Sequence, residues 1–180
     1  MTARPHYIGR WRVDLDRRSG PRLVSAAGLV RLVSAALGAA GAAAPASIGL
    51  ILTDDAALAA LNREHMGVDG PTDVLSFPLL PPSAFPAHPG RPDSRPPAAP
   101  AFALPPGHRP HLGDIVVSVE RAIAQAAEGR GSQTGDVRWS PADELRLLVV
   151  HGVLHVCGWD HAEAVEGEEM RALERRLLGR

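Results

Sequence analysis

Residues 140–161 read SPADELRLLVVHGVLHVCGWDH. Ser140, then Pro141, then an acid at Asp143 make a strong helix start: a capping hydroxyl, a proline in the first turn and a carboxylate three residues on. Leu145, Leu147, Leu148, Val149 and Val150 carry an apolar helix into His151. The helix ends at Gly158, whose freedom to take positive φ lets the chain reverse. His151 and His155 are one turn apart and project from the same face. The reversal after Gly158 brings His161 back toward them.

Three converging imidazoles fill three corners of a tetrahedron and leave the fourth for water. That is the arrangement of catalytic zinc, whereas structural zinc is usually closed by four ligands, often with cysteine. His151, His155 and His161 are therefore the expected ligands of one zinc ion, and imidazoles also suit nickel, cobalt and copper. A histidine pair at i and i+4 alone is an ordinary helix face; the third histidine after a helix-stopping glycine is what distinguishes this stretch. Cys157, two residues past His155, points toward a different side and reads as a small buried hydrophobe. Asp160 is either an acceptor for an imidazole N–H or a turn residue. The spacing is also that of the zinc proteases with H-E-x-x-H-x-x-G-x-x-H, but the position of their general-base glutamate is Gly152.

Working outward, residues 162–178 form a last helix with Val165, Met170, Leu173 and Leu177 on its apolar side. Upstream, Tyr7–Leu15 is a loosely alternating edge strand, and Leu23, Ala27, Val30, Ser34 and Leu37 mark an amphipathic helix. Ile48–Leu52 is a short apolar strand. Asp54 caps a helix that places Leu58, Leu61 and His65 on one side. DVLSF at 73–77 and DIVVSV at 114–119 are two further strands, the second followed by a helix from Ser118 to about Glu128. Strands alternating with helices predict an α/β fold (with an α+β-like character), a small mixed sheet packed with helices in a single domain spanning residues 1–180.

Residues 78–110 hold 12 of the 17 prolines. Proline removes backbone donors and fixes φ, so this stretch supplies neither helix nor ladder and is expected to be a disordered insertion at about 79–110. Loop closure costs only about 0.6 kcal/mol per doubling of length, so excising residues 83–106 is expected to leave stability nearly unchanged.

The chain has 180 residues, formal net charge −1, no lysine and one cysteine. That length suits one domain with a real core. The charge advertises no basic field for nucleic acid, and the N-terminal cluster Arg10, Arg12, Arg17, Arg18 and Arg22 reads as solvated surface. A lone cysteine has no internal disulfide partner. The apolar stretch 23–37 is interrupted by Arg31 and too short to span a bilayer, so no membrane role and a cytoplasmic location are expected.

The stretch HGVLHVCGWDH resembles the H-G-x-L-H-L-x-G-x-D-H signature of the bacterial rRNA maturation endoribonuclease family, YbeY. PTDVLSFP at 71–78, preceded by Leu61-Asn62, and LGDIVVS at 112–118 are similar to two further blocks of that family, in the same order. The resemblance covers roughly residues 46–178 outside the proline-rich loop and implies a metal-dependent single-strand endoribonuclease. It further implies a role in rRNA maturation and ribosome quality control, with ribosomal RNA and the small ribosomal subunit as partners. Many family members carry Tyr-Arg where this chain reads His65-Met66, and that Arg is implied to help hold substrate. A guanidinium clamps phosphate in a bidentate way and a thioether does not, so no catalytic Arg is carried over to Met66. His65 is the next candidate for the phosphate.

A metal-bound water has its pKa lowered toward neutrality and needs no glutamate neighbour to act as nucleophile. Phosphodiester cleavage, dominated by charge stabilisation, fits such a site. Peptide cleavage must also protonate an amine, so a zinc protease is disfavoured by Gly152. The alternative is a metal-stabilised ribosome assembly factor with little or no catalysis, which Met66 and the absence of a basic stripe favour.

Overall fold

The computed structural model describes residues 3–91, 109–129 and 139–180. Strands β1 (Arg4–Ile8) and β2 (Trp11–Arg17) form an antiparallel hairpin, where one edge strand was expected. Gly9, at φ 55°, supplies the left-handed turn between them. Helix α1 (Ala26–Ala39) leads to β3 (Ala46–Thr53), and α2 (Asp55–Met66) to β4 (Val74–Pro78). Strand β5 (His111–Ser118) is followed by α3 (Val119–Ala127), α4 (Pro141–Val156) and α5 (Ala164–Leu178). The sheet order is β1-β2-β3-β5-β4, with β3 parallel to both neighbours and β4 antiparallel to β5. The mixed α/β sheet read from the sequence is the one observed.

Alternation along the strands decides which layer each side chain joins. Val13, Leu15, Ile48, Leu50 and Leu52 enter the main core with α1, α4 and α5. Ile51 and Val116, on the other parity, join Leu58, Leu61, Leu75 and Phe77 under α2. A bulge shifts the β3–β5 register between Ser47 and Gly49 by one residue on β5. Leu112 and Ile115, three apart, therefore both reach the main core. Gly113 sits within that bulge at φ 152°, where a Cβ would run into the Phe77 carbonyl.

Helix α4 begins as its residues specify. Asp143 N donates to Ser140 Oγ at 3.2 Å and Ser140 N donates to Asp143 Oδ2 at 3.2 Å, completing the capping box. The helix then lies against β4 and β5 so closely that a Cβ at Gly152 would stand 2.5 Å from Ile115 Cγ2 and 3.3 Å from Ser76 Oγ. Two predicted faces are rotated. In α1 the buried residues are Leu29, Val30, Val33, Ala36 and Leu37, while Ala27 is exposed. In α5 Val165 is 60% exposed, and Glu166 and Glu174 are buried beside Met170 and Leu173. Periodicity locates a helix well but fixes its rotation only to about a residue, and the two carboxylates have partners that periodicity cannot show.

The start of the proline-rich stretch departs from the expectation of a structureless loop. After β4, Leu79 N still donates to Leu112 O at 2.9 Å, and a short 3-10 turn at Pro82–Ala84 follows. Phe85 is 4% exposed within the main core. The His88 ring stacks on Trp159 at 3.9 Å with 10° between planes, and its Nε2 bonds Glu166 Oε1 at 2.7 Å. Arg91 donates to the carbonyls of Gly158 and Pro82. Proline composition excludes ladders and long helices, yet it leaves Phe, His and Arg side chains free to dock. The rest of the expected insertion, residues 92–108, lies outside the described residues.

Two stability predictions result. Gly152→Ala should overpack the α4–sheet contact and cost about 1–3 kcal/mol in urea unfolding. A midpoint equal to that of the natural protein would show that the helix can back away at no cost. Phe85→Ala should cost about 3–5 kcal/mol, so excision of residues 83–106 is destabilising rather than neutral. Thermal denaturation with no shift for Phe85→Ala would restore the neutral-loop expectation.

Candidate metal centre

His151 and His155 stand one turn apart on α4, both beside strand β4. The helix closes with Gly158 N donating to His155 O and Trp159 N to Leu154 O, both at 3.0 Å, with Gly158 at φ 82°. The chain then reverses and returns His161. Ring centroids stand 4.5 Å (His151–His155), 5.1 Å (His155–His161) and 5.5 Å (His151–His161) apart. One nitrogen of each ring falls within 4.8 Å of the others, so the three could hold one metal ion.

The surroundings fit a cation. Glu174 Oε1 accepts from His151 Nδ1 at 2.8 Å, and this acid is 4% exposed. That bond places the proton on Nδ1 and leaves Nε2 as the free lone pair, 3.0 Å from His155 Nε2. Two ring nitrogens this close repel unless a proton or cation lies between them. Burial first, and then the neighbouring His151 and His161, lower the pKa of His155 from 6.5 to about 4. Its imidazole is therefore neutral, as a ligand must be. Cys157 is fully buried and burial pushes its thiol up to about 12, so it is the inert small hydrophobe expected.

Asp160 turns out to be a turn residue. Its Oδ1 accepts from His161 N at 2.7 Å and its own N donates to Glu166 Oε1 at 2.8 Å. Glu166 thereby ties the loop carrying His161 to α5 and, through His88, to residues 79–91. The imidazole acceptor is Glu174 instead. Sequence reading missed it, although an acid on the apolar side of α5, between Leu173 and Leu177, was the available signal.

A cleft of about 420 Å³ opens over the three histidines, and Met66, Thr72, Asp73 and Ser76 contribute to its other walls. Met66 thus sits at the cleft, half exposed, as its place in the sequence predicted. His65 does not. Its ring packs edge-on against Phe77 at 5.2 Å and lines a separate cavity on the α2 side, with Arg18 and Asp114. A second cavity of about 450 Å³ shares His151, His161 and Asp73 and extends past Arg171 and Glu174. Asp73 is held by Val74 N and Gln125 Nε2, each donating to its carboxylate at 2.9 Å.

The lowered pKa of His155 has a definite sign. The unfolded chain binds the proton at its ordinary pKa and the folded, metal-free protein binds it only near 4, so stability is lost as pH falls from about 6.5 toward 4. In chelator, the natural protein should lose stability over that window faster than His155→Gln, followed by urea midpoints. Parallel midpoints for the two proteins would rule out this contribution.

The comparisons with known proteins agree with this geometry. A family model described as Endoribonuclease YbeY matches residues 24–180. Curated relatives called Endoribonuclease YbeY include one from Moorella thermoacetica, 40% identical over 91% of this chain and 89% of that protein. Another, from Rhodospirillum rubrum, is 36% identical over 93% and 77%. One from Mycolicibacterium smegmatis is 44% identical over 74% and 62%. Among solved structures, the solution structure of TM1509 from Thermotoga maritima matches with a TM-score of 0.52 over 94% of this chain and 89% of that one; at 20% identity this likeness concerns the fold alone. With a match that runs from Val24 to the last residue, and relatives at these identities, the chain belongs to the endoribonuclease YbeY family.

Proposed function

We propose that this protein is a metal-dependent endoribonuclease that cuts single-stranded RNA in rRNA maturation and ribosome quality control, with His151, His155 and His161 as ligands of one zinc ion. The observation that carries this reading is the convergence of three imidazoles, one oriented by buried Glu174, on the wall of an open cleft. A divalent ion held there supplies positive charge beside the phosphodiester, where charge stabilisation dominates phosphoryl transfer. The protein's own share is orientation. Glu174 fixes the tautomer of His151, the Asp160–Glu166 contact places His161, and the Val74 and Gln125 donors hold Asp73 at the cleft.

Gly152 explains why peptide cleavage is the poorer reading. The position that would bear a protease's glutamate faces Ile115 and Ser76 with no room for any side chain. The base is excluded by packing. A second reading, a metal-stabilised assembly factor that binds the small ribosomal subunit with little catalysis, is favoured by one observation: the cleft has a thioether at position 66. Three of the five N-terminal arginines are already engaged within the protein: Arg12 pairs with Asp14, Arg18 with Asp16, and Arg17 donates to the Val24 carbonyl. Among the described residues no helix is long and apolar enough to cross a membrane. A cytoplasmic site of action, beside ribosomal RNA, belongs to the proposal.

The decisive experiment is cleavage of single-stranded RNA by the natural protein with metal supplied and then chelated. Each of His151→Ala, His155→Ala and His161→Ala should release most of the metal and abolish cleavage. Glu174→Ala should weaken metal binding by about 10- to 100-fold without removing a ligand. Full metal occupancy after two of the histidine changes would sink the three-histidine site. Binding of the protein to ribosomal particles without any RNA cleavage would favour the assembly factor.

A further inference from the structure

We infer that Arg171 holds the RNA phosphate in this protein, reaching the metal centre from α5, while position 66 on α2 offers only a thioether. The inference rests on the nuclease reading for the identity of the anion; the choice of residue rests on geometry. Arg171 lines the second cavity together with His151, His161 and Asp73. Its Nη1 lies 3.4 Å from the point a Cβ on Gly167 would occupy, and His161 Cβ lies 3.4 Å from that same point. The guanidinium therefore rests beside the third histidine, over a gap that a side chain at position 167 would crowd.

Charge bookkeeping on the cavity wall favours an incoming anion. Its two carboxylates are committed: Glu174 to His151 Nδ1, and Asp73 to Val74 N and Gln125 Nε2. Among the described residues Arg171 makes no hydrogen bond or ion pair, and it is exposed. A planar fork of donors that no protein acid occupies is the group best matched to a phosphate. Met66 lines the first cleft and not the second, and supplies no donor.

The test measures binding separately from cleavage. The probe is a fluorescent single-stranded oligoribonucleotide with 2′-O-methyl riboses, titrated onto the zinc-loaded protein at several salt concentrations and run on a gel after each titration to establish that it is still intact. Arg171→Ala should keep its metal by elemental analysis, yet bind about 5- to 100-fold more weakly. Its log-affinity against log-salt slope should be shallower by about 0.7, the loss of one phosphate contact on a single strand. Arg171→Lys should fall between the two, and adding Met66→Arg to Arg171→Ala should recover part of the affinity. Unchanged affinity and slope in Arg171→Ala would overturn the inference, and would leave the nuclease reading intact if the natural protein cuts RNA. Weaker binding by Arg171→Ala, with a natural protein that binds but never cuts natural RNA, would uphold the phosphate contact and reject the nuclease. A natural protein that fails to bind the probe at all would overturn both.

Discussion

Helix α4 touches the sheet at a position that admits no side chain. Ile115 Cγ2 fills the place where a Cβ on Gly152 would begin, and Val74 and Ser76 close the sides. Interiors pack at crystal-like density, so a helix that close has little freedom to roll. With Leu145, Leu148, Val149 and Val153 buried in the main core, the rotation of the helix is set, and with it the direction in which half-buried His151 and His155 project. The same contact that orients the two histidines thus leaves no room for a general base at position 152.

The third histidine depends on a different set of contacts, polar rather than apolar. Gly158 turns the chain, but a turn alone leaves His161 on an exposed loop. Buried Glu166 accepts from Asp160 N and bonds His88, whose ring lies flat on Trp159. Arg91 reaches across to the Gly158 carbonyl. Residues 79–91 therefore act as a strap over the loop that bears the third histidine. A buried carboxylate is costly unless its lone pairs are satisfied, which ties Glu166 to both partners at once.

Glu174 plays the matching part for His151. Its position on α5, one turn beyond Met170, puts a carboxylate behind the ring and leaves the free nitrogen facing the other two histidines. The site is thus built by three elements distant in sequence: α4, the loop after it, and α5. Its open side looks onto β4 and the end of α2, which makes Asp73 and Met66 its neighbours. An all-imidazole set with an open side is the form of a metal site that leaves room for substrate.

Local signals decided a good deal by themselves. The capping box at Ser140, the one-turn spacing of His151 and His155, the stop at Gly158 and the cap at Asp54 are contacts among residues three or four apart, and all are observed as read. The alternating order of strands and helices was enough for the α/β class. What tertiary structure decided lies in contacts between residues far apart in the chain. Glu174 looked like a stray acid on a helix face until His151 met it, 23 residues away along the chain. His65 and Met66 are adjacent in sequence, yet one faces Phe77 on the α2 side and the other the metal cleft, because successive helical residues point about 100° apart and only packing sets the zero of that angle. Phe85 and His88 were hidden by the prolines around them, since composition reports which backbone bonds are impossible and says nothing of where a single ring will find a partner.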